Sequence, residues 1–403
     1  MAMDREFPDA VVQTADTRIV FVVMDGVGGL PDPATGLTEL ETARTPNLDR
    51  VAGRAAVGLQ RPVGVGVTPG SGPGHLALFG YDPRRWMIGR GVLSALGVGF
   101  DLRPGDLAAR LNLATLDDTG SVVDRRAGRP PDEEGRRVVR LLRERVGTPD
   151  GLELFWEAEK EHRAVMILRG EGLSDELEDT DPQRTGAQPL RPRATAPAAE
   201  RTAALVDRVL ADARAALRAE SPANGLLARG FALYERYPSM TERYGLRCLA
   251  TARYPMYQGV ARLLGMEVAA TPETDAAAVA TVTSRYSEFD FHFLHFKHTD
   301  SRGEDGDFAA KVAAIEAIDA LLPDLEDLDP DVIVVTGDHS TPAVMASHSW
   351  HPVPLLIASQ WCRGGTSGFG ERACLAGEIG TIAGRNIMAL ALAHARRLRK
   401  FGA

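Results

Sequence analysis

The sequence predicts an α/β fold with a mainly parallel sheet, built from the two ends of the chain around an inserted second domain. Three observations carry this reading. Short, continuous apolar runs alternate with helical patterns at both ends of the chain, three of those runs stop at an aspartate, and the middle, from about residue 101 to 246, turns rich in Arg, Asp and Glu. Strands alternating with helices belong to a parallel sheet covered by helices.

The first run, Ile19–Met24, is apolar throughout and stops at Asp25 and Gly26. A strand without a polar side fits a sheet covered on both faces. Thr45 and Pro46 then precede Leu48, Val51, Ala52 and Ala55, an N-cap with a proline in the first turn and an apolar helical stripe. A second run over 289–296 leads to Lys297, His298, Thr299 and Asp300. Asp307 is placed to cap a helix with Phe308, Val312, Ile315 and Leu322 on one face. The third run, 332–335, leads to Asp338 and His339; a fourth covers 353–358, and Asn386 opens a last helix. In the middle, a proline-bearing loop over 179–199 precedes a long amphipathic helix near 200–220. The expected division is a core domain from 1–100 and 249–403, with 101–248 inserted.

A chain of 403 residues has room for two or three domains. Its 44% apolar and 25% charged residues exclude a disordered or fibrous chain. The formal charge of −9 lacks the basic footprint that nucleic acid or an anionic membrane needs, so neither is an expected partner. Locally dense arginines still suit a small anion. No apolar run approaches the roughly 20 residues of a membrane helix. The opening MAMDREFPDAVVQTADTR lacks the apolar core of a secretory signal. Cys248, Cys362 and Cys374 are odd in number and lack C-x-x-C spacing, which fits reduced thiols and a cytoplasmic location.

In open α/β sheets, ligands bind beyond the carboxyl ends of the strands. Asp25, Asp300 and Asp338 all follow strands, and three carboxylates at one edge repel unless cations lie between them. His339 and His348 add imidazoles, a mixture that suits Mn²⁺, Mg²⁺ or Zn²⁺. Taken singly, an aspartate after a strand is explained by capping; the set beside histidines is what points to metal. Residues 68–83 read T-P-G-S-G-P-G-H-L-A-L-F-G-Y-D-P, with Ser71 among Gly70, Gly72 and Gly74 and with Pro73 opening a helix. A serine there faces free backbone N–H groups and the positive end of a helix dipole, as a phosphate site requires. No G-x-G-x-x-G or Walker lysine is present, and a structural glycine turn explains this loop equally well.

The order of these motifs is specific. Asp25, S-x-x-G-H at 71–75, D-x-x-G-x-D-G at 300–306, T-G-D-H-S at 336–340 and H-x-x-x-P-V-P at 348–354 resemble the alkaline phosphatase superfamily. Within it, HLALFGYDP, GRGVLSALG, DRRAGR, TDP and TGDHSTP resemble cofactor-independent phosphoglycerate mutases of the archaeal type. The resemblance implies an alkaline-phosphatase-like three-layer core with an α/β cap inserted after the nucleophile. It also implies interconversion of 3-phosphoglycerate and 2-phosphoglycerate through a phosphoserine at Ser71, without 2,3-bisphosphoglycerate. One cation is expected at Asp25, Ser71, Asp338 and His339, and another at Asp300, Glu304 and His348. Two divalent ions, Mn²⁺ or Mg²⁺, are implied, with Zn²⁺ or Co²⁺ as alternatives. Glu304 departs from the family pattern, which carries histidine after this glycine, and a carboxylate is expected to replace the imidazole.

Asp124, Arg125, Arg126, Arg129, Arg163 and Lys297 are the implied substrate contacts, with Arg90, Arg110, Asn112 and His162 as further candidates. Guanidinium groups suit both the carboxylate and the phosphate of phosphoglycerate. Arg136, Arg137, Arg140, Arg143 and Arg145 read as a solvated helix face, His292 and His295 as packing residues, and His351 as peripheral. Competing readings are a metal-dependent phosphatase or phosphotransferase acting on another phosphorylated or phosphonylated metabolite, and a catalytically inert binding protein. Assembly into a homo-oligomer is compatible with the sequence.

Overall fold

The structure, a computed structural model, describes residues 8–149 and 151–402; residues 1–7 of the segment read for a secretory signal lie outside them. The chain divides into two compact units, a larger one from the residues up to Met87 and from Pro238 on, and a smaller one from Ile88 to Tyr237. Both junctions lie upstream of the expected 100/101 and 248/249. The helix Arg90–Gly97 packs on the smaller unit's sheet, where Gly91 comes so close to the Ala108 carbonyl that a Cβ would clash. Beyond Pro238, the helix Met240–Tyr244 belongs to the larger unit, and the Tyr244 hydroxyl donates to Phe79 O at 3.2 Å.

The larger unit is built on eight strands, in spatial order Gly380–Ala383, Ala56–Arg61, Val353–Ala358, Val332–Thr336, Ile19–Met24, Phe291–Phe296, Cys248–Ala252 and Glu267–Val268. Val353–Ala358 runs antiparallel to both neighbours, and every other pair is parallel. Side chains alternate across the central strand. Val20, Val22 and Met24 join a core with Leu48, Val279, Ile315 and Leu325 from the helices on one face. On the other, Phe21 meets Phe79 and Phe291, beyond the helix Ser71–Leu78. The all-apolar pattern thus reflects helices on both faces.

The expected stripe on the Phe308–Asp319 helix is corrected. Its buried face is Lys311, Ile315, Ile318 and Asp319, while Phe308 and Val312 are half-buried and Leu322 begins another short helix. Asp307 does cap it, accepting from Ala310 N–H at 2.9 Å. Thr45 makes no side-chain cap on the helix Pro46–Ala52; instead Asp319 accepts from the N–H groups of Asn47 (3.3 Å) and Leu48 (2.7 Å). Those free N–H groups needed an acceptor, and a distant carboxylate supplies it.

In the smaller unit five strands pair antiparallel throughout, and the helices Asp132–Arg145 and Glu200–Leu217 bury Val138, Leu142, Val206 and Leu210 in its core. On the first helix Arg137 pairs with Glu134 and Glu220, and Arg143 with Glu157. Among the described residues no helix is long and apolar enough to cross a membrane.

Candidate active site

The carboxyl edge of the larger sheet gathers the expected ligands for topological reasons. Asp25 follows Met24 directly, Asp300 lies in the helix His298–Glu304 just past Phe296, and Asp338 comes two residues after Thr336. His348 precedes its strand rather than following it. Because Val353–Ala358 runs against its neighbours, its entrance lies at the edge where the others exit. Close backbone approach demands glycine here: Gly26 has φ 62°, and a Cβ on it would lie 2.5 Å from Thr341 Oγ1.

Asp25, Asp300, Asp338 and His339 are fully buried. Candidate ligand atoms form two groups, Asp25 with Asp338 and His339, and Asp300 with His339 and His348, each within 4.8 Å. His339 therefore stands between both groups, where the sequence reading assigned it to one. Ser71 Oγ, at the start of its helix, lies 3.1 Å from His339 Nε2. Glu304 Oε1 is 3.6 Å from His348 Nε2, on a side chain 54% exposed, so it meets the second group from its solvent side.

Hydrogen bonds orient both imidazoles. The Thr341 hydroxyl donates to Asp300 Oδ1 at 2.7 Å, so its contact with His339 Nδ1 at 2.9 Å assigns the proton to that nitrogen. His339 Nε2 is left as an acceptor, 3.3 Å from both Asp25 Oδ1 and Asp338 Oδ2. His348 likewise donates from Nδ1 to Pro69 O at 3.0 Å, turning Nε2 toward Asp300 Oδ1 at 3.5 Å. The two rings stack with centroids 3.7 Å apart. Lone pairs aimed at carboxylates are stable only around a proton or a cation. Among the described residues, Asp25 Oδ1 and Asp338 Oδ2 also have no hydrogen-bond partner, although buried. This donor set fits divalent cations.

Charge follows the same geometry. Burial favours protonated Asp25, but Lys297, His295 and His339 overcome it and hold the carboxyl well below its usual range. Burial and the neighbouring charge of Asp25 push Asp300 up. Burial works against a charged His348, yet Glu304, the Pro69 carbonyl and Asp300 raise its imidazole to about 9. Lys297 Nζ lies 3.1 Å from Asp25 Oδ2 and pairs with Asp300. Those carboxylates outweigh its burial and keep it protonated.

Several residues behind this edge had no site role in the sequence reading. Tyr257 donates its hydroxyl to Asp25 and stacks on His295 at 3.7 Å. His295, expected only to pack, places Nε2 3.3 Å from Asp25 Oδ2. His75 Nδ1 lies 2.8 Å from Ser71 O and 3.2 Å from Asp338 Oδ2. A tyrosine a few residues past Ala252 becomes legible once Cys248–Ala252 is read as a strand. His292 bonds Tyr286 O at 3.1 Å and so packs as expected, while His351, read as peripheral, meets Ser349 and Trp350.

In the smaller unit the residues implied for substrate divide. Asp124 accepts from the N–H groups of Arg126 (2.8 Å) and Gly128 (2.6 Å), and so holds its own turn. Arg125 forms a two-pronged pair with buried Asp181 at 2.9 and 2.6 Å. Arg126 and Arg129 are instead exposed, and their charges act on His162. Burial, then the charges of Arg163, Arg126, Arg129 and Arg110, push that imidazole down to about 4. Glu161 Oε2 lies 3.7 Å from its Nδ1.

Residues 52–224 match the profile of the 2,3-bisphosphoglycerate-independent phosphoglycerate mutase family. A Thermus thermophilus protein named as a probable 2,3-bisphosphoglycerate-independent phosphoglycerate mutase is 50% identical over 397 residues, covering 98% of each chain. An Aquifex aeolicus protein of the same name is 47% identical over 402 residues, again covering 98% of each. Among solved structures, a Pyrococcus horikoshii protein superposes with a TM-score of 0.82 at 31% identity, over 98% of this chain and 100% of that one. The cofactor-independent phosphoglycerate mutase of Thermoplasma acidophilum gives 0.72 at 30% identity, over 94% of this chain and 100% of that one. The chain belongs to the 2,3-bisphosphoglycerate-independent phosphoglycerate mutases, a family of isomerases.

Proposed function

We propose that the chain interconverts 3-phosphoglycerate and 2-phosphoglycerate through a phosphoserine at Ser71. The observation that carries this is the serine hydroxyl 3.1 Å from His339 Nε2, beside two groups of buried carboxylate and imidazole atoms. Asp25, Ser71, Asp338 and His339 would hold one divalent cation, and Asp300, Glu304 and His348 the other, with Mn²⁺ or Mg²⁺ favoured by the oxygen-rich set. Bound there, the cations supply positive charge that favours the serine alkoxide and offsets charge on the transferring phosphoryl group.

Ser71 Oγ forms a bond to phosphorus as the bond to the 3-oxygen of glycerate breaks. The serine gives up its proton overall, and the departing oxygen gains one. In the second half the 2-hydroxyl attacks the phosphoserine, the bond to Oγ breaks, and the proton count reverses. Lys297 contributes a fixed positive charge beside Asp25 and Asp300, suited to a phosphoryl oxygen. Arg126, Arg129, Arg110 and Arg163 suit the glycerate carboxylate, whose retention separates a mutase from a phosphatase. The free thiols of Cys248, Cys362 and Cys374 fit a cytoplasmic enzyme.

The test is an enolase-coupled assay on 3-phosphoglycerate without bisphosphoglycerate, run with Mn²⁺, with Mg²⁺ and with chelator, while free phosphate is measured. Metal-dependent formation of 2-phosphoglycerate with little phosphate release is expected. Release of phosphate as the main product would favour a phosphatase and overturn the proposal.

A further inference from the structure

Lys311 is 0% exposed. Full burial of a lysine is rare and requires partners for its charge and protons. Its ammonium has three donors, and three backbone carbonyls take them: Gly26 O at 3.0 Å, Gly28 O at 3.1 Å and Thr341 O at 2.8 Å. Glu39 Oε1 lies 3.7 Å away and accepts from Ala343 N–H at 2.7 Å. Glu371, far along the chain, accepts from Gly29 N–H at 2.9 Å and from the Thr38 hydroxyl at 2.5 Å.

These acceptors are not scattered. Gly26 and Gly28 belong to the loop that opens with Asp25, and Thr341 to the loop that carries Asp338 and His339. The Thr341 hydroxyl in turn meets both Asp300 and His339. Packing alone would be served by an apolar residue, as it is at Ile315 and Ile318 further along the same helix. Thr341 N–H also reaches Gly26 O at 3.2 Å and Gly28 O at 3.0 Å, so the ammonium is a second tie between the two loops; without it Thr341 O loses this donor, and the backbone bonds alone set the spacing.

We infer that Lys311 is a positioning residue that fixes the spacing between the Asp25 loop and the His339–Thr341 loop, and with it the geometry of both candidate cation sites. This rests on the two-cation reading above. The experiment is Mn²⁺ titration by calorimetry of metal-stripped wild type, Lys311→Met, Lys311→Gln and Ile315→Val, each well below its melting transition. Lys311→Met should bind Mn²⁺ about tenfold more weakly or worse, in the range typical of lost outer-shell support. Lys311→Gln should fall between, since its amide supplies two of the three protons. Ile315→Val, which removes a buried methyl from the same helix, should melt earlier yet bind Mn²⁺ like the wild type. A folded Lys311→Met with wild-type affinity overturns the inference. If Lys311→Met does not fold, Lys311→Gln decides in the same way. Wild-type protein that binds no divalent cation overturns the cation reading, and the inference with it.

Discussion

Tyr257 donates its hydroxyl to Oδ2 of Asp25, and both side chains are completely buried. A donor on a ligating carboxylate fixes which oxygen is left for a cation, and hydrogen bonds to charged groups contribute about 1.5–3 kcal/mol. Tyr257→Phe keeps the ring stacked on His295 and removes only the donor. Turnover and Mn²⁺ affinity should both fall about 10–100-fold in a folded protein. Unchanged affinity would reduce Tyr257 to a packing residue.

Glu304 tests the second cation site. Glu304→Ala should weaken by about tenfold or more the cation shared with Asp300 and His348, leaving the one beside Ser71 in place. Glu304→His should keep activity and shift preference toward Zn²⁺ or Co²⁺, because imidazole is a softer donor. Metal content and rate across a metal series decide this. Two cations bound as tightly in Glu304→Ala as in wild type would remove Glu304 from the ligand set.

The arginines of the smaller unit should separate by role. Arg126→Ala and Arg129→Ala should slow the mutase reaction more than phosphate release, because glycerate escapes before it can be rephosphorylated. Arg125→Ala should instead destabilise the fold, on the order of 2 kcal/mol, by leaving buried Asp181 without its main partner. Assaying both products and measuring denaturant midpoints distinguishes the two. Equal loss of both activities in the Arg126 and Arg129 variants would end their proposed hold on glycerate.

Glu371 predicts a pH effect on stability away from the catalytic groups. Burial pushes its carboxyl up to about 7, against the opposing hydrogen bonds from Thr38 and Gly29. An unfolded glutamate titrates near ~4.3. Between those values the folded protein keeps a proton that the unfolded chain releases. Its contribution is therefore full below the lower value and is lost as pH rises through about 7. Melting curves in chelator should show the wild type losing stability relative to Glu371→Gln across that window, on the order of 4 kcal/mol. Parallel curves would contradict it.

The central strands were legible because burial on both faces leaves an unbroken apolar run, as in Ile19–Met24. The three candidate aspartates were legible because they sit just past such runs. Other strands were not. Ala56–Arg61 carries Gly58 and Gln60, and Gln60 is buried only because its amide donates to Gly337 O at 2.9 Å. Cys248–Ala252 is short and poor in branched residues, so Tyr257 had no visible frame. Lys311 reads in sequence as an ordinary helix-surface lysine; only long-range contacts reveal its three carbonyls. Arg125 and Arg126 are neighbours of the same type, and nothing local separates the one paired with Asp181 from the exposed one beside it.

The proposed transfer runs through a covalent phosphoserine at Ser71. The direct measurement is a short incubation of metal-loaded protein with 3-phosphoglycerate labelled in its phosphate, followed by acid quench, proteolysis and peptide mass spectrometry. Label should appear on the peptide holding Ser71, be absent from a folded Ser71→Ala protein that has no turnover, and build up when vanadate is omitted. Turnover by the wild type with no label on that peptide, or by Ser71→Ala at an undiminished rate, would contradict the account.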